Sequence, residues 1–245
     1  CTSPLLDNVM HFTSATNTHL IVPSNSISVP KFNIASGTAE FKIQTSDAGN
    51  QWTNIFNDGL RFAFFLDQGQ IVIYDWTYGP RYTGIQINDG QWHHVALTYQ
   101  DGVTNGSKVY LDGVLKHTFT KGTHDGQMYS YPFQIGYSNG WRSFIGNLDE
   151  FRFWNISRNH EEISKNWSFP VGGGVNTDDS NTDLNLYYKF NEGVTGQAEL
   201  DSVVLDYGGR LCNGAWTGYT TTSRNSGSAM ISASVAHREY EDPII

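Results

Sequence analysis

The sequence predicts an all-β protein built as a sandwich of antiparallel strands. Apolar residues recur at alternate positions, as at Val95, Leu97 and Tyr99, which is the pattern of strands with one buried face. The chain has 25 glycines among 245 residues and only 16% charged residues, a composition that suits short strands joined by tight turns. A chain of this length can bury one large core, although length alone would also permit two small domains.

Most of the predicted strands lie in the central part of the chain, where short apolar-rich runs are bounded by Gly, Asn or Asp. They comprise residues 39–44, 53–56, 60–66, 70–76, 82–87, 92–99, 108–111, 114–119, 131–137 and 144–154. The turns between them carry the pairs Asp101-Gly102, Asn105-Gly106 and Asp112-Gly113, and the triplet Asn57-Asp58-Gly59. These residues tolerate positive φ in tight hairpins, so antiparallel meanders are expected.

One short helix is predicted over residues 161–165. Asn159 precedes Glu162 by three residues, which is the arrangement of a capping box. The glycine-rich stretch 171–183 that follows is expected to be an exposed connection, and residues 184–190 resume the strand pattern. Too few residues remain for a second core, so we expect one domain over residues 1–222 and a C-terminal tail or linker over 223–245.

Charge and hydropathy exclude two classes of partner. The formal net charge is −9, and the 15 basic residues are scattered, so no basic stripe is available for nucleic acid. No stretch approaches the roughly 20 apolar residues that span a bilayer, so membrane insertion is not expected. Because the chain starts at Cys1 without a signal-peptide pattern, we expect a soluble, processed or excised piece.

Three segments carry a family resemblance when they are taken in order. They are residues 90–99 (GQWHHVALTY), 108–114 (KVYLDGV) and 144–154 (FIGNLDEFRFW). Together they resemble the laminin-G-like domains of the concanavalin A-like jelly-roll superfamily, and the resemblance covers roughly residues 9–216. It implies two packed antiparallel sheets in a jelly roll, and glycan or protein binding in adhesive, extracellular, multi-domain chains. It does not identify the ligand.

The resemblance also implies calcium as a candidate cofactor, because many relatives bind it. Asp179, Asn181 and Asp183 place oxygen-bearing side chains at alternate positions, so they are the candidate ligands. Leu184 stands where a calcium loop of the EF-hand type has Gly, and the alternative interpretation is a solvated acidic loop. In pentraxin relatives an acidic loop follows the strand equivalent to residues 134–136, whereas residues 137–142 of this chain carry no carboxylate.

Several features favour a secreted or extracellular-surface protein. Cys1 and Cys212 lie near opposite ends of the chain, where a disulfide would join the termini in an oxidising compartment; two unpaired thiols are the alternative. Asn105, Asn155 and Asn166 each begin an N-glycosylation acceptor pattern.

The sequence gives no positive support for an enzyme. Retaining glucanases of the same fold place their acids at alternate positions on one strand, about 5 Å apart. Asp149 and Glu150 are adjacent, so on a regular strand they point to opposite faces. Glu150 and Arg152 share a face and are expected to form an ion pair. His93 and His94 also diverge on a strand, so we expect one packed and one exposed histidine and no metal site.

Two loops combine aromatic rings, on which sugar faces stack, with polar groups that pair with hydroxyls. The candidate ligand-binding residues are Trp76, Tyr78 and Tyr82 in the first loop and Tyr137, Asn139 and Trp141 in the second. If the strands alternate in direction, the loops lie at opposite ends of the sandwich, the first beside residues 121–130. We favour the second loop, because the corresponding loop serves ligands in pentraxin-like relatives.

We therefore expect a non-catalytic recognition module whose partner is a glycan or glycoprotein. One alternative is a structural or adhesive module whose partners are other protein domains, which the polar tail and the 171–183 connection would suit. Another is a glycoside hydrolase, which requires a bulge at Asp149 that brings Glu150 to the same face.

Overall fold

A computed structural model describes residues 8–13, 19–22, 35–48, 53–57, 62–75, 77–123, 133–137, 143–169, 183–191, 203–208, 214–217 and 224–226. Its elements are β1 Asn8–Phe12, β2 His19–Val22, β3 Ser36–Gln44, β4 Thr53–Asn57, β5 Phe62–Asp67, β6 Gln70–Asp75, β7 Gly79–Gln86, β8 Trp92–Gln100, β9 Ser107–Leu111, β10 Val114–Phe119, β11 Phe133–Ile135, β12 Gly146–Trp154, α1 His160–Asn166, β13 Leu184–Tyr188, β14 Val203–Val204, β15 Gly214–Thr217 and β16 Arg224–Ser226. The predicted all-β class with one short helix is confirmed.

The strands form two antiparallel sheets. Sheet A has the order β10-β9-β8-β3-β12-β1-β16, and β13 pairs with the second half of β12. Sheet B has the order β14-β15-β2-β11-β4-β5-β6-β7. Strands β10 and β7 are therefore edge strands, one in each sheet. The expected boundary at residue 222 stays a prediction, but β16 pairs with β1, so the first residues of the expected tail belong to sheet A.

The core lies between the two sheets and is built by the predicted alternation. Val95, Leu97 and Tyr99 of β8 pack in one apolar cluster with Phe41 of β3 and Phe64 of β5. Phe41 contacts Phe64 edge-on at 5.4 Å between ring centroids, and such edge-to-face pairs are favourable beyond the area they bury. The residues of β8 that alternate with these core residues, such as His94 and Ala96, therefore lie on the outer face of sheet A.

Helix α1 covers part of that outer face. Asn159 Oδ1 accepts from the Glu162 backbone N–H at 3.0 Å, and Glu162 Oε2 accepts from the Asn159 N–H at 2.7 Å. Both bonds of the predicted capping box are thus present. Ile163 of the helix packs with Ala96 and Tyr110, which anchors α1 to β8 and β9.

Strand β12 is irregular at Glu150, which has a φ of 53°. The register with β3 shifts between Asp149 and Arg152, as in a β-bulge. Leu148 and Phe151 both face the core although they are three residues apart, so Asp149 and Glu150 together occupy the outer face. The expectation of opposite faces is wrong, because alternation holds only where a strand has no inserted residue.

Candidate functional site

The edge strands of the two sheets border an open groove, which we call the edge groove. It has a volume of about 570 Å³ and is lined by Tyr78, Pro80, Arg81, Tyr82, Asn105, His117, Thr118, Phe119 and Thr120. Most of these residues belong to β7 or β10, and Asn105 belongs to the turn before β9. The groove thus depends on residues that are far apart in sequence.

Asp75 holds the turn that presents Tyr78 at the rim. Its backbone C=O accepts from the Tyr78 N–H at 3.0 Å, and its Oδ1 accepts from the Thr77 N–H at 2.8 Å. Its Oδ2 accepts from the Gly122 N–H at 2.6 Å, which ties the turn to the chain just after β10. A fully buried carboxylate with these donors fixes the turn, so Tyr78 is placed by a rigid support.

Two tyrosines at the groove present large exposed rings. Tyr78 is 59% exposed and Tyr82 is 51% exposed, whereas most aromatic residues of the described chain are buried. Tyr82 pairs across the sheet with the buried Val72, so its backbone position is fixed by β6. Exposed rings on a rigid strand provide flat apolar faces at little cost in conformational entropy.

Arg81 points between the two rings that flank it. Its guanidinium carbon lies 5.1 Å from the Tyr78 ring centroid and 6.0 Å from that of Phe119. Both distances are within the range of cation–π attraction. His117 stacks on Phe119 with 6.2 Å between centroids, and burial together with the charge of Arg81 lowers the pKa of His117. Near neutral pH the groove therefore offers one fixed cation and an uncharged imidazole.

A second depression, which we call the polar cleft, lies at the other end of the sandwich. It has a volume of about 470 Å³ and is lined by His11, Gln44, Thr45, Ser46, Asp47, Gly90, Ile145, Gly146 and Asn147. A chain of hydrogen bonds crosses it: His11 Nδ1 to Asn147 Oδ1 at 2.8 Å, Asn147 Nδ2 to Gln44 Oε1 at 2.8 Å, and Gln44 Nε2 to the Gly90 C=O at 3.0 Å. These amides are already paired with one another, so the cleft offers fewer free polar groups than its composition suggests.

The structure brings Tyr78 and Tyr82 together in the edge groove, whereas Trp76 lies outside the described residues. The first loop packs beside Gly122, as expected. Tyr137 follows β11, and its ring centroid lies 5.2 Å from that of His19. Tyr137 lines neither the edge groove nor the polar cleft. Asn139 and Trp141 lie outside the described residues.

Sequence reasoning did not place Arg81, Asn105 or His117 in a binding site, and it considered Asn105 only as a turn residue and an N-glycosylation acceptor. Arg81 lies in the first loop between Tyr78 and Tyr82, and a cation between two tyrosines was the signal that could have found it. Asn105 and His117 reach the groove only because β10 and β7 are edge strands of different sheets, and no local pattern encodes that proximity.

Residues 14–164 match the family described as the concanavalin A-like lectin/glucanases superfamily, in its laminin G-like branch, over more than half of the chain. The chain belongs to this laminin G-like family. The expected family and fold are therefore confirmed for this laminin G-like domain. No curated protein sequence matches it.

Solved structures support the same fold. A proposed carbohydrate binding protein from Bacteroides ovatus superposes with a TM-score of 0.67 and 21% identity, covering 90% of this chain. This laminin G-like domain spans only 60% of that protein's chain. The heptameric SAP-like pentraxin from Limulus polyphemus has a TM-score of 0.53 and 18% identity, covering 73% of this chain and 92% of its own. At these identities the likeness establishes the fold alone.

The bulged pair Asp149 and Glu150 is enclosed, with exposed fractions of 3% and 8%. Glu150 Oε2 accepts from Arg152 Nη2 at 2.6 Å and from the Tyr187 hydroxyl, so the expected ion pair is present. Arg152 is in turn held by the Phe169 C=O at 2.8 Å. A carboxylate occupied by two donors and shielded from solvent is a structural anchor in this state.

The same outer face holds Glu40, which is almost fully buried. Burial opposes its ionisation, but Arg158 Nη1 at 2.6 Å from Glu40 Oε1 and the His94 ring hold the pKa of Glu40 well below its usual range. Burial lowers the pKa of His94 despite its contact with Glu40.

The ring of His93 points away from that of His94. It bonds Asp112 at 2.9 Å and Asp89 at 3.1 Å, so the predicted divergence of the two histidines is confirmed. His93 is partly buried rather than exposed.

The candidate calcium and disulfide residues fall mostly outside the described chain. Asp183 is described, and its backbone C=O accepts from the Asn155 N–H at 2.9 Å, while Asp179, Asn181, Cys1 and Cys212 lie outside. Within the described residues no three His, Cys, Asp or Glu side chains form a group that could hold a metal ion. Calcium binding and the disulfide therefore stay predictions.

Of the helices in the described ranges, none is long and apolar enough to cross a bilayer.

Proposed function

We propose that this laminin G-like domain is a non-catalytic extracellular recognition module that binds glycans in the edge groove. The observation that carries the proposal is the exposure of Tyr78 and Tyr82 beside Arg81 in one groove. Sugar rings bind by stacking their C–H faces on aromatic rings and pairing their hydroxyls with nearby polar groups. The groove combines both kinds of group on supported strands.

The polar partners in the groove suit sugar hydroxyls. The backbone of Asn105 adopts a φ of 53°, and its N–H donates to Thr120 Oγ1 at 3.0 Å, so the turn is held against the strand end. Its exposed side-chain amide can donate to one hydroxyl and accept from another. The imidazole of His117 in β10 adds a further donor or acceptor on the same side of the groove.

The absence of catalysis is part of the proposal. The buried state of Asp149 and Glu150, and the occupation of Glu150 by Arg152 and Tyr187, support it. A retaining glycosidase needs two carboxyl groups that both reach the scissile bond of a bound substrate. Enclosed carboxylates cannot do this without a rearrangement of the strand.

Tyr137, Asn139 and Trp141 are retained as a proposed second contact set at the other end of the sandwich. We also retain as proposals the Cys1–Cys212 disulfide, a calcium ion at Asp179, Asn181 and Asp183, a secreted or cell-surface location, and a domain over 1–222 that β16 extends to Ser226. Mass spectrometry of the non-reduced protein tests the disulfide, and calorimetric titration with Ca²⁺ tests the metal.

A glycan array, followed by calorimetry on the best oligosaccharide with and without Ca²⁺, tests the function. The proposal expects binding that Tyr78→Ala weakens by about fivefold, the scale of one aromatic stacking contact. Trp141→Ala is the comparison variant at the other loop. If Trp141→Ala weakens binding and Tyr78→Ala does not, the site lies at that loop instead; if no carbohydrate binds, the glycan function is wrong.

A further inference from the structure

The Arg81 side chain has no acidic partner among the described residues, which distinguishes this partly buried cation from the fully buried ones. Arg152 and Arg158 lie 2.6 Å from Glu150 and Glu40, and Lys121 bonds Asp101. Within the described residues the Arg81 side chain forms no hydrogen bond or ion pair, and it lies against the rings of Tyr78 and Phe119. None of the described residues that line the edge groove is Asp or Glu.

The atoms of Arg81 differ in their access to the groove. Nε is enclosed and has no hydrogen-bond partner, whereas the two terminal nitrogens are not enclosed in this way. The terminal N–H groups are therefore the ones that a ligand in the groove can reach. The two terminal nitrogens present parallel N–H groups at the open end of the guanidinium, which is a geometry that a carboxylate fills with two bonds.

The guanidinium is also held in place before any ligand arrives. The Tyr78 ring at 5.1 Å and the Phe119 ring at 6.0 Å restrict its orientation. A fixed fork loses less side-chain entropy on binding than a free one. The whole protein carries a formal charge of −9, so its general field repels anions. A cationic groove whose described lining residues include no carboxylate is the place where an anion would be accepted.

We propose that the edge groove selects saccharides that carry a carboxylate, with Arg81 binding the carboxylate and Tyr78 and Tyr82 stacking on the sugar rings. This inference rests on the proposed function and narrows it to uronic-acid-type glycans. A carboxylate is the group chosen because its two oxygens are coplanar and match the guanidinium edge. A sulfate ester presents the same charge with tetrahedral geometry and is the alternative that the experiment separates.

The test uses matched pairs of ligands that differ only in charge. Tetrasaccharides of galacturonate, mannuronate and unsulfated chondroitin are each titrated against their methyl esters by calorimetry, together with a sulfated dextran oligosaccharide. The proposal expects at least one acid to bind about tenfold more tightly than its ester, the effect of one charge-assisted pair. Arg81→Gln should bring the ratio of acid to ester affinity to about one, whatever it does to ester binding itself, and Arg81→Lys should keep only part of the preference.

Lys165→Gln is the control, because Lys165 is an exposed cation on α1 whose partner is Glu161. It should leave the preference intact, and thermal unfolding of each variant checks that the fold is kept. Equal affinity for acids and esters, or a preference that survives Arg81→Gln, overturns the carboxylate inference while glycan binding stands. A preference for the sulfated ligand alone overturns it in favour of sulfate. No binding to any saccharide overturns the proposed function itself.

Discussion

Arg152 Nη2 lies 2.6 Å from Glu150 Oε2 on the outer face of sheet A, next to the bulge that brings Glu150 to the side of Asp149. This contact decides how the two neighbouring acids are interpreted. A bulge was the condition under which a hydrolase remained an alternative, and the bulge exists. The acid that it places beside Asp149 is nevertheless enclosed and committed to an arginine and a tyrosine.

We predict that Glu150→Gln lowers the free energy of unfolding by about 3 kcal/mol, because it leaves the buried Arg152 without its main counter-charge. Chemical denaturation measures the effect. Glu161→Gln, which removes an exposed pair with Lys165, should cause no measurable change. The reverse pattern, a stable Glu150→Gln variant together with wild-type release of reducing sugars from β-glucans, would mean that Glu150 is a catalytic acid.

Removal of a groove tyrosine should separate binding from stability. Tyr82 is 51% exposed, so Tyr82→Ala should weaken glycan binding about fivefold while changing the free energy of unfolding by less than about 0.5 kcal/mol. Tyr207→Ala is the matched control, since Tyr207 is 46% exposed and lies beside Lys189 much as Tyr78 lies beside Arg81. A loss of binding in the control variant instead would place the site elsewhere.

His93 should contribute a pH-dependent part of the stability. Its hydrogen bond to Asp112 raises the pKa of His93 above the ordinary 6.5, with the charge of Asp112 and the contact with Asp89 acting in the same direction. Because the folded-state pKa is raised, this stabilisation is complete below pH 6.5 and is lost as the pH rises through the folded-state value. His93→Gln should therefore cost more stability at pH 5.5 than at pH 8.5, as measured by urea unfolding at both pH values. An equal cost at the two pH values would show that the imidazolium makes no net contribution.

The capping box of α1 gives a local prediction. Asn159→Ala removes the acceptor for the Glu162 N–H and should lower the free energy of unfolding by about 1 kcal/mol. Asn159→Asp keeps an acceptor oxygen and should be nearly neutral in the same denaturation assay. If both substitutions were equally harmful, the amide group itself rather than the cap bond would matter.

The parts of the fold that the sequence predicted well depend on local patterns. The core face of β8 follows from the alternation of Val95, Leu97 and Tyr99, and the helix start follows from Asn159 and Glu162. Asp112 and Gly113 adopt the positive φ values, 51° and 76°, that their turn chemistry predicted. Each of these features is decided by residues a few positions apart.

What the sequence did not predict depends on contacts between distant residues. The bulge residue is Glu150 rather than a glycine, so the sequence carries no local signal for it. The contacts of the Glu150 carboxylate with Arg152 and Tyr187 stabilise the positive φ there. The edge groove arises because the edge strands β7 and β10 of two different sheets lie close together. This brings Arg81 near Phe119, which is 38 residues further along the chain. The favoured second loop was chosen by family resemblance, and its Asn139 and Trp141 lie outside the described residues.

The most direct test of the central claim is a two-dimensional amide NMR titration of the laminin G-like domain with the oligosaccharide that binds best on an array. We predict that one set of amide signals shifts together, with a single dissociation constant: those of Tyr78, Arg81, Tyr82 and Thr118–Thr120. Shifts confined to the polar cleft around Gln44 and Asn147, or to the neighbourhood of Tyr137, with the groove signals unmoved, would contradict it.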